Sequence, residues 1–404
     1  MKALGNPERS MQIIHVAGTS GKGSTATLIS QFLSAHHFKV GLQLSPHLID
    51  IRERVQINSQ LISKKRFILA LKKVLRTSVR ATYFEILVAT ALVAFKNQGV
   101  QYAVVETGLG GLYDATNAMQ GDKIVVITRI GLDHTRILGK TLVEITTQKA
   151  GIIQRGSRVI VLDQASEILG PIHERARQVG ALVTSIDPRK IVPEFHPTLK
   201  GTLLSLQTQN GIWGNLRFNL LGNHQRENLA LAFSALQLIS ERSKDKIQKT
   251  HVRKVLDTAT LPGRFEIWQR DRRFVILDGA HNPQKTEALS VSIQGIFSDT
   301  NVNCIINFSC GKDVEGMLKA LLPITINWVA TEFKTATRRH FALNKLMQIF
   351  SHFRLKALAK PNPSQALEAA LTLNFLPIVC TGSLYSIGEY QKKLKNLGFT
   401  RVKN

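Results

Sequence analysis

Between an apolar run and a helix-like run, His15 to Ile29 read HVAGTSGKGSTATLI, which sets Gly18, Gly21 and Gly23 around one lysine, Lys22. Glycines let backbone N–H groups approach phosphate oxygens, a following helix offers the positive end of its dipole, and a lysine neutralises charge. The usual phosphate-loop spacing G-x-x-x-x-G-K-[ST] is broken twice, because Val16 stands five before Gly21 and Gly23 follows Lys22. Ser24 and Thr25 can supply the hydroxyl that Gly23 lacks. Two readings stay open here: a compact phosphate loop, or a glycine-rich strand-to-helix turn with a solvent lysine.

Other polar residues interrupt apolar runs in the same way: Ser45, Glu106, Asp133 with His134, and Asp278. A magnesium nucleotide needs oxygen ligands, which Ser45 and Glu106 could give, with His134 as a less typical nitrogen donor. Three glycines in ETGLGG (106–111) suggest backbone packed close to a ligand behind Glu106.

The elements that must carry these residues follow from periodicity. Met11–Ala17, Lys39–Leu44, Gln101–Glu106, Lys123–Arg129 and Arg158–Asp163 read as strands, with helical patterns over Ser24–His36, Tyr83–Lys96 and Leu142–Ile153. This alternation predicts an α/β fold with a largely parallel sheet, and ligands gather at the carboxyl ends of such strands. Every polar residue named above falls at one of those ends. Leu203–Leu221 alternates around Asn210-Gly211, a hairpin signal, and a helix begins near His224. A second α/β alternation starts with Phe274–Asp278, so two domains are expected, 1–270 and a smaller one at 271–404.

With 404 residues, 44% apolar content and no apolar run near the roughly 20 residues of a membrane span, the expectation is a cytoplasmic protein with no membrane partner. Cys304, Cys310 and Cys380 form no C-x-x-C pair, which argues against a zinc knuckle or a disulfide framework. The formal charge of +25 suits an anionic partner. Its basic residues are scattered without interleaved aromatics, so specific nucleic-acid binding is not expected and a solvated basic surface is.

The segments HVAGTSGKGS, SPHL, ERV, YFE, ETGLGGLYDATN, LDHTRILG, QKAGII, GNHQRENLALA, PGRFE, LDGAHNP and GSLYSIGE occur in one order from about Gly5 to about Tyr390. In that order they resemble the folylpolyglutamate synthase and dihydrofolate synthase family of the Mur ligase superfamily. The resemblance implies a P-loop NTPase-like domain followed by a smaller Rossmann-like domain, with ATP between them. It also implies a reaction: ATP phosphorylates a folate carboxylate, and L-glutamate attacks the acyl phosphate to form an amide.

By motif, Gly21, Lys22, Gly23 and Ser24 would hold the phosphates, and Asn228, Arg264 and Asp278 would contact ATP. Ser45, Glu106 and His134 would ligate Mg2+, and Lys149 would carry a carbamate able to hold a second ion. Lys22, Lys149 and His281 would serve catalysis. Thr82, Tyr83, Phe84, Glu85 and Asp114 would meet the folate or dihydropteroate, although Tyr83 and Phe84 also suit a helix core and Asp114 a cap. A monomer is expected.

Four departures from the family pattern stand out: Ser20 for Asn, Leu112 for Arg, Arg136 for an acid, and only Met1–Leu4 before Gly5. The last implies either an upstream start or an incomplete pterin pocket, which favours folylpolyglutamate over dihydrofolate synthesis. A Mur-type ligase acting on a peptidoglycan precursor and a non-catalytic ATP-binding relic are the alternatives.

Overall fold

The computed structural model describes residues 1–298, 300–335 and 339–402. Its first sheet has eight strands: β1 (Gln12–Ala17), β2 (Val40–Gln43), β3 (Val55–Ile57), β4 (Gln60–Leu61), β5 (Tyr102–Glu106), β6 (Lys123–Ile127), β7 (Arg158–Leu162) and β8 (Leu182–Ile186). They lie in the order β4-β3-β2-β5-β1-β6-β7-β8. The strands from β2 to β8 in that order are parallel, and β3 and β4 turn back antiparallel at one edge. β1, β5 and β6 are almost wholly buried, as parallel strands covered on both faces must be.

The chain leaves β1 toward β2, returns to β5 beside β1, and then crosses to β6 on the other side. Winding therefore reverses at β1, which opens a crevice at the carboxyl ends of the central strands. The register Val16↔Glu106 and Ala17↔Ile127 sets the ends of these three strands level.

Helices α1 (Lys22–Ala35), α2 (Lys64–Leu75) and α3 (Tyr83–Asn97) belong to this unit. α3 buries Leu87, Val88, Ala91, Leu92 and Phe95, which recur at helical spacing along one face. Each large side chain among them contributes about 1.5–3 kcal/mol by leaving water. Farther along the same face of the sheet, against β6 and β7, Ile145, Ile152, Val159 and Ile172 belong to a second apolar cluster.

Strands β9 (Phe195–Thr198), β10 (Gly201–Thr208) and β11 (Gly211–Phe218) form a three-stranded sheet, with Asn210 in the turn of the expected hairpin. A helix then runs over His224–Ser243. The last sheet holds β12 (Glu266–Arg270), β13 (Arg273–Leu277), β14 (Val302–Ile306), β15 (Thr325–Thr331), β16 (Ala357–Lys360), β17 (Ile378–Thr381) and β18 (Thr400–Arg401), in the order β16-β15-β14-β17-β13-β12-β18. Its core includes Ile276, Leu289, Leu318, Phe350 and Val379.

The chain divides into two compact units: Met1–Phe195 with Leu203–Arg217 and His224–Ala259, and His196–Thr202 with Phe218–Asn223 and Thr260–Asn404. The division expected at 270/271 differs from this for a simple reason. Arg270 and Arg273 face each other across the β12–β13 hairpin, so the charged run QRDRR is a turn inside the second unit. The architecture is α/β, a parallel-sheet unit and a second α/β sheet unit. No helix among the described residues is long and apolar enough to cross a membrane.

Candidate active site

The glycine loop leaves β1 and enters α1 with Gly21 as the N-cap, and no side chain caps the helix. Its first-turn N–H groups are therefore left to an external acceptor, the arrangement that suits an anion. Gly21 has φ 87°, and a Cβ there would sit 2.2 Å from Asn228 Oδ1, so both conformation and space require glycine. Asn228 is in turn held by Gln225, to whose Oε1 its amide donates at 2.9 Å.

The loop is braced from β6. Thr19 and Ser20 N–H donate to the Arg129 carbonyl at 2.9 and 3.1 Å, and the Thr128 hydroxyl donates to the Ser20 carbonyl at 2.7 Å. The Arg129 guanidinium pairs with Glu227 at the start of helix His224–Ser243, donating from Nε at 2.7 Å, and this carboxylate raises the arginine pKa. Sequence reasoning missed Thr128 and Arg129. Their signal was available, since they directly follow a strand that pairs with β1.

Glu106 ends β5 and is buried at 6% exposure, with Oε2 accepting the Ser45 N–H at 2.9 Å. Its carboxylate lies 3.4 Å from where a Cβ on Gly23 would stand, which puts it over the start of α1. Among the described residues the buried hydroxyls of Ser20 and Thr107 have no hydrogen-bond partner. Lys149, also buried, donates from Nζ to the Gly18 carbonyl at 2.8 Å. Phosphate-loop glycines, Lys22, Ser24, Ser45, Glu106, Lys149 and Asn228 are thus gathered at the carboxyl end of β1.

His134 is engaged closer to home. Its N–H donates to Asp133 Oδ1 at 2.9 Å, and its Nε2 lies 3.8 Å from the same oxygen. Among the described residues no three His, Cys, Asp or Glu side chains converge on a metal-sized point. A carboxylate, a serine and orphaned hydroxyls beside a phosphate loop nevertheless fit magnesium, which keeps waters and phosphate oxygens rather than an all-protein cage.

The residues expected to meet the folate split into two groups. Asp114 Oδ2 accepts the Leu109 N–H at 2.7 Å, while Oδ1 accepts the Thr116 N–H at 3.0 Å and its hydroxyl at 2.6 Å. Phe84 packs beside it, since a Cβ on Gly108 would meet Phe84 Cζ at 2.5 Å and Asp114 Oδ2 at 3.1 Å. Thr82 and Glu85, in contrast, form a capping box on α3: Glu85 Oε2 accepts the Thr82 N–H at 2.6 Å, and this bond lowers the Glu85 pKa. Tyr83 is 51% exposed, with the Arg54 guanidinium 6.0 Å from its ring centre.

In the second unit, Asp278 is buried after β13, and its two oxygens accept the Phe265 and Ala280 N–H groups, each at 2.8 Å. Burial raises its pKa, and the nearby Arg264 opposes that rise. The carboxylate thereby ties PGRFE to DGAHN. His281 Nδ1 lies 2.8 Å from the Gly279 carbonyl and must carry the proton, which leaves Nε2 to accept from Lys285 Nζ at 3.1 Å.

Known proteins give a consistent comparison. Residues 16–236 match the family model of the Mur ligase middle domain, and residues 265–393 that of the dihydrofolate synthetase C-terminal domain. The chain is 32% identical over 410 residues to a Bacillus subtilis dihydrofolate synthase/folylpolyglutamate synthase, covering 98% of this chain and 93% of that one. It superposes on the Mycobacterium tuberculosis folylpolyglutamate synthase complexed with ADP at TM-score 0.89 and 29% identity, over 97% and 92% of the two chains. An Escherichia coli FolC structure in complex with DHPP and ADP gives TM-score 0.83 and 26% identity, over 98% and 94%.

Proposed function

The chain belongs to the dihydrofolate synthase and folylpolyglutamate synthase family, and we propose that it joins L-glutamate to a folate carboxylate at the expense of ATP. The observation that carries this reading is the gathering of Lys22, Ser45, Glu106, Lys149 and Asn228 around an uncapped helix start at the carboxyl end of β1.

The first-turn N–H groups of α1 and the Lys22 ammonium bind the β- and γ-phosphates, favouring charge that builds as the γ-phosphoryl group leaves ADP. The folate carboxylate takes that group, forming an acyl phosphate. The glutamate amine then attacks the acyl carbon, inorganic phosphate departs, and the amine gives up a proton. His281, whose acceptor nitrogen is Nε2, is the group assigned to receive it. Asn228, Arg264 and Asp278 are assigned to ATP contacts.

Ser45, Glu106 and His134 would hold magnesium, with a second ion at a carbamylated Lys149, and the metal would supply charge neutralisation on the phosphates. A carbamate on Lys149 retains one N–H, so the bond to the Gly18 carbonyl can survive the modification. Phe84 and Asp114 are assigned to the folate; Tyr83 is the more solvent-exposed member of that set, and Thr82 and Glu85 support it by capping α3. The acting species is a cytoplasmic monomer with small-molecule substrates.

Purified protein supplied with ATP, magnesium and L-glutamate tests the proposal. ADP release should depend on tetrahydrofolate and on glutamate together, and a parallel arm with dihydropteroate reads the second activity. Release driven by a UDP-linked muramyl peptide and by no pterin would replace the folate reading with the peptidoglycan one.

A further inference from the structure

Leading to Asp114, in the loop after Glu106, runs a line of buried polar groups, Lys123, His15 and Thr116, that the proposed reaction does not use. Lys123 Nζ lies 3.4 Å from His15 Nδ1, His15 Nε2 lies 2.7 Å from Thr116 Oγ1, and the Thr116 hydroxyl lies 2.6 Å from Asp114 Oδ1. Lys123, His15 and Thr116 are 1%, 0% and 0% exposed.

The direction of every bond is fixed by proton count. Thr116 has one hydroxyl proton, which goes to the carboxylate. His15 Nε2 must then donate to Thr116 Oγ1, which leaves Nδ1 to accept from Lys123. Donation runs one way, from an ammonium to a carboxylate, and such bonds strengthen one another at low local dielectric. Burial and the neighbouring ammonium lower the His15 pKa, in keeping with the neutral ring this order demands.

Lys123 is an expensive residue to keep there. Burial brings its pKa down to about 7, and its other acceptor is the Met119 carbonyl at 3.3 Å. Among the described residues no carboxylate forms an ion pair with it, and Asp122, its neighbour in sequence, pairs with Arg242 instead. An apolar side chain at that place in β6 would pack at less cost. What the ammonium does have is a connected path to Asp114. The other oxygen of that carboxylate holds the Leu109 N–H at 2.7 Å, inside the glycine loop behind Glu106.

We propose that Lys123 and His15 are positioning residues that orient Asp114 through the Thr116 hydroxyl and so set the loop that meets the folate. The inference rests on Asp114 being a folate contact, and the experiment separates the two. Folate KM, ATP KM, kcat and the unfolding midpoint are measured for Thr116→Val, Thr116→Ser, Lys123→Met and Asp114→Asn beside the unaltered chain. Thr116→Val keeps the side-chain shape and loses the hydroxyl, so folate KM should rise about tenfold with ATP KM unchanged, and Thr116→Ser should restore it. Lys123→Met should raise folate KM several-fold with an unfolding midpoint no lower than that of the unaltered chain.

A Thr116→Val protein with normal folate KM, while Asp114→Asn raises it, overturns the positioning line and leaves Asp114 as a folate contact. Normal folate KM in Asp114→Asn overturns both. Thr116→Val raising both KM values together and lowering the midpoint also overturns the proposal, because that is the signature of general loosening. Should Lys123→Met fail to accumulate as folded protein, the Val and Ser variants at 116 decide the matter.

Discussion

Gly21→Ala is the sharpest perturbation of the nucleotide loop. The glycine sits at φ 87° and ψ −9°, where an L-residue costs about 1–3 kcal/mol. The new methyl would also stand 2.2 Å from Asn228 Oδ1, displacing a side chain that is buried and hydrogen-bonded to Gln225. Losing that bond costs about 1 kcal/mol more. Together the two effects come to about 3 kcal/mol, which leaves the competent loop populated at roughly one part in a hundred and weakens apparent nucleotide affinity about a hundredfold. Titrating ADP by calorimetry reads the affinity directly, and ATP KM in the ADP-release assay should follow it. An affinity within twofold of the unaltered chain refutes the reasoning, since the loop would then not need the geometry described.

Three further outcomes are expected. Glu106→Gln keeps an oxygen to accept the Ser45 N–H and removes the charge, so kcat should fall at least about a hundredfold while the thermal midpoint moves little; equal loss of both makes Glu106 a structural residue. Exhaustive removal of CO2 should lower activity and bicarbonate restore it, with Lys149→Ala unresponsive; activity indifferent to bicarbonate removes the carbamate from the mechanism. Lys123 has a folded-state pKa near 7, below the unfolded value of about 10.4, so between those pH values the unfolded chain holds the extra proton. Urea midpoints should therefore rise with pH across that window relative to Lys123→Met, and parallel pH profiles for the two proteins contradict the burial of a charge there.

Much of the first unit was legible in the sequence because its signals are local. An apolar run, a glycine loop and a helix pattern lie within His15–Ile29, and a parallel sheet sends such loops to one end. The second α/β alternation was equally visible from Phe274 onward. What stayed hidden depends on chain segments far apart. Nothing in local periodicity brings Asn228 to Gly21, Lys149 to Gly18 or Lys123 to His15, and short edge strands such as β4, two residues long, carry no period to read. The basic run at the expected boundary, residues 269–273, has the composition of a linker yet turns a hairpin inside the second unit. Thr82 and Glu85 carry two signals at once: the T-x-x-E spacing of a capping box, which the structure forms, and the family motif that assigns them to the folate.

The contact between Gly21 and Asn228 also bears on how the chain comes to be finished. Thr25 donates to Asn228 across 203 residues, and Phe32 of α1 meets Phe233 edge to face at 6.3 Å. β1 and α1 are made well before the wall that fixes their loop, which is synthesised only after the whole central sheet. Contacts of such high sequence separation slow folding, because a long loop must close before they stabilise anything. The nucleotide loop is thus translated before the central sheet is complete and matures after it, and nucleotide-induced protection in a growing chain should appear only once helix His224–Ser243 is available to pack.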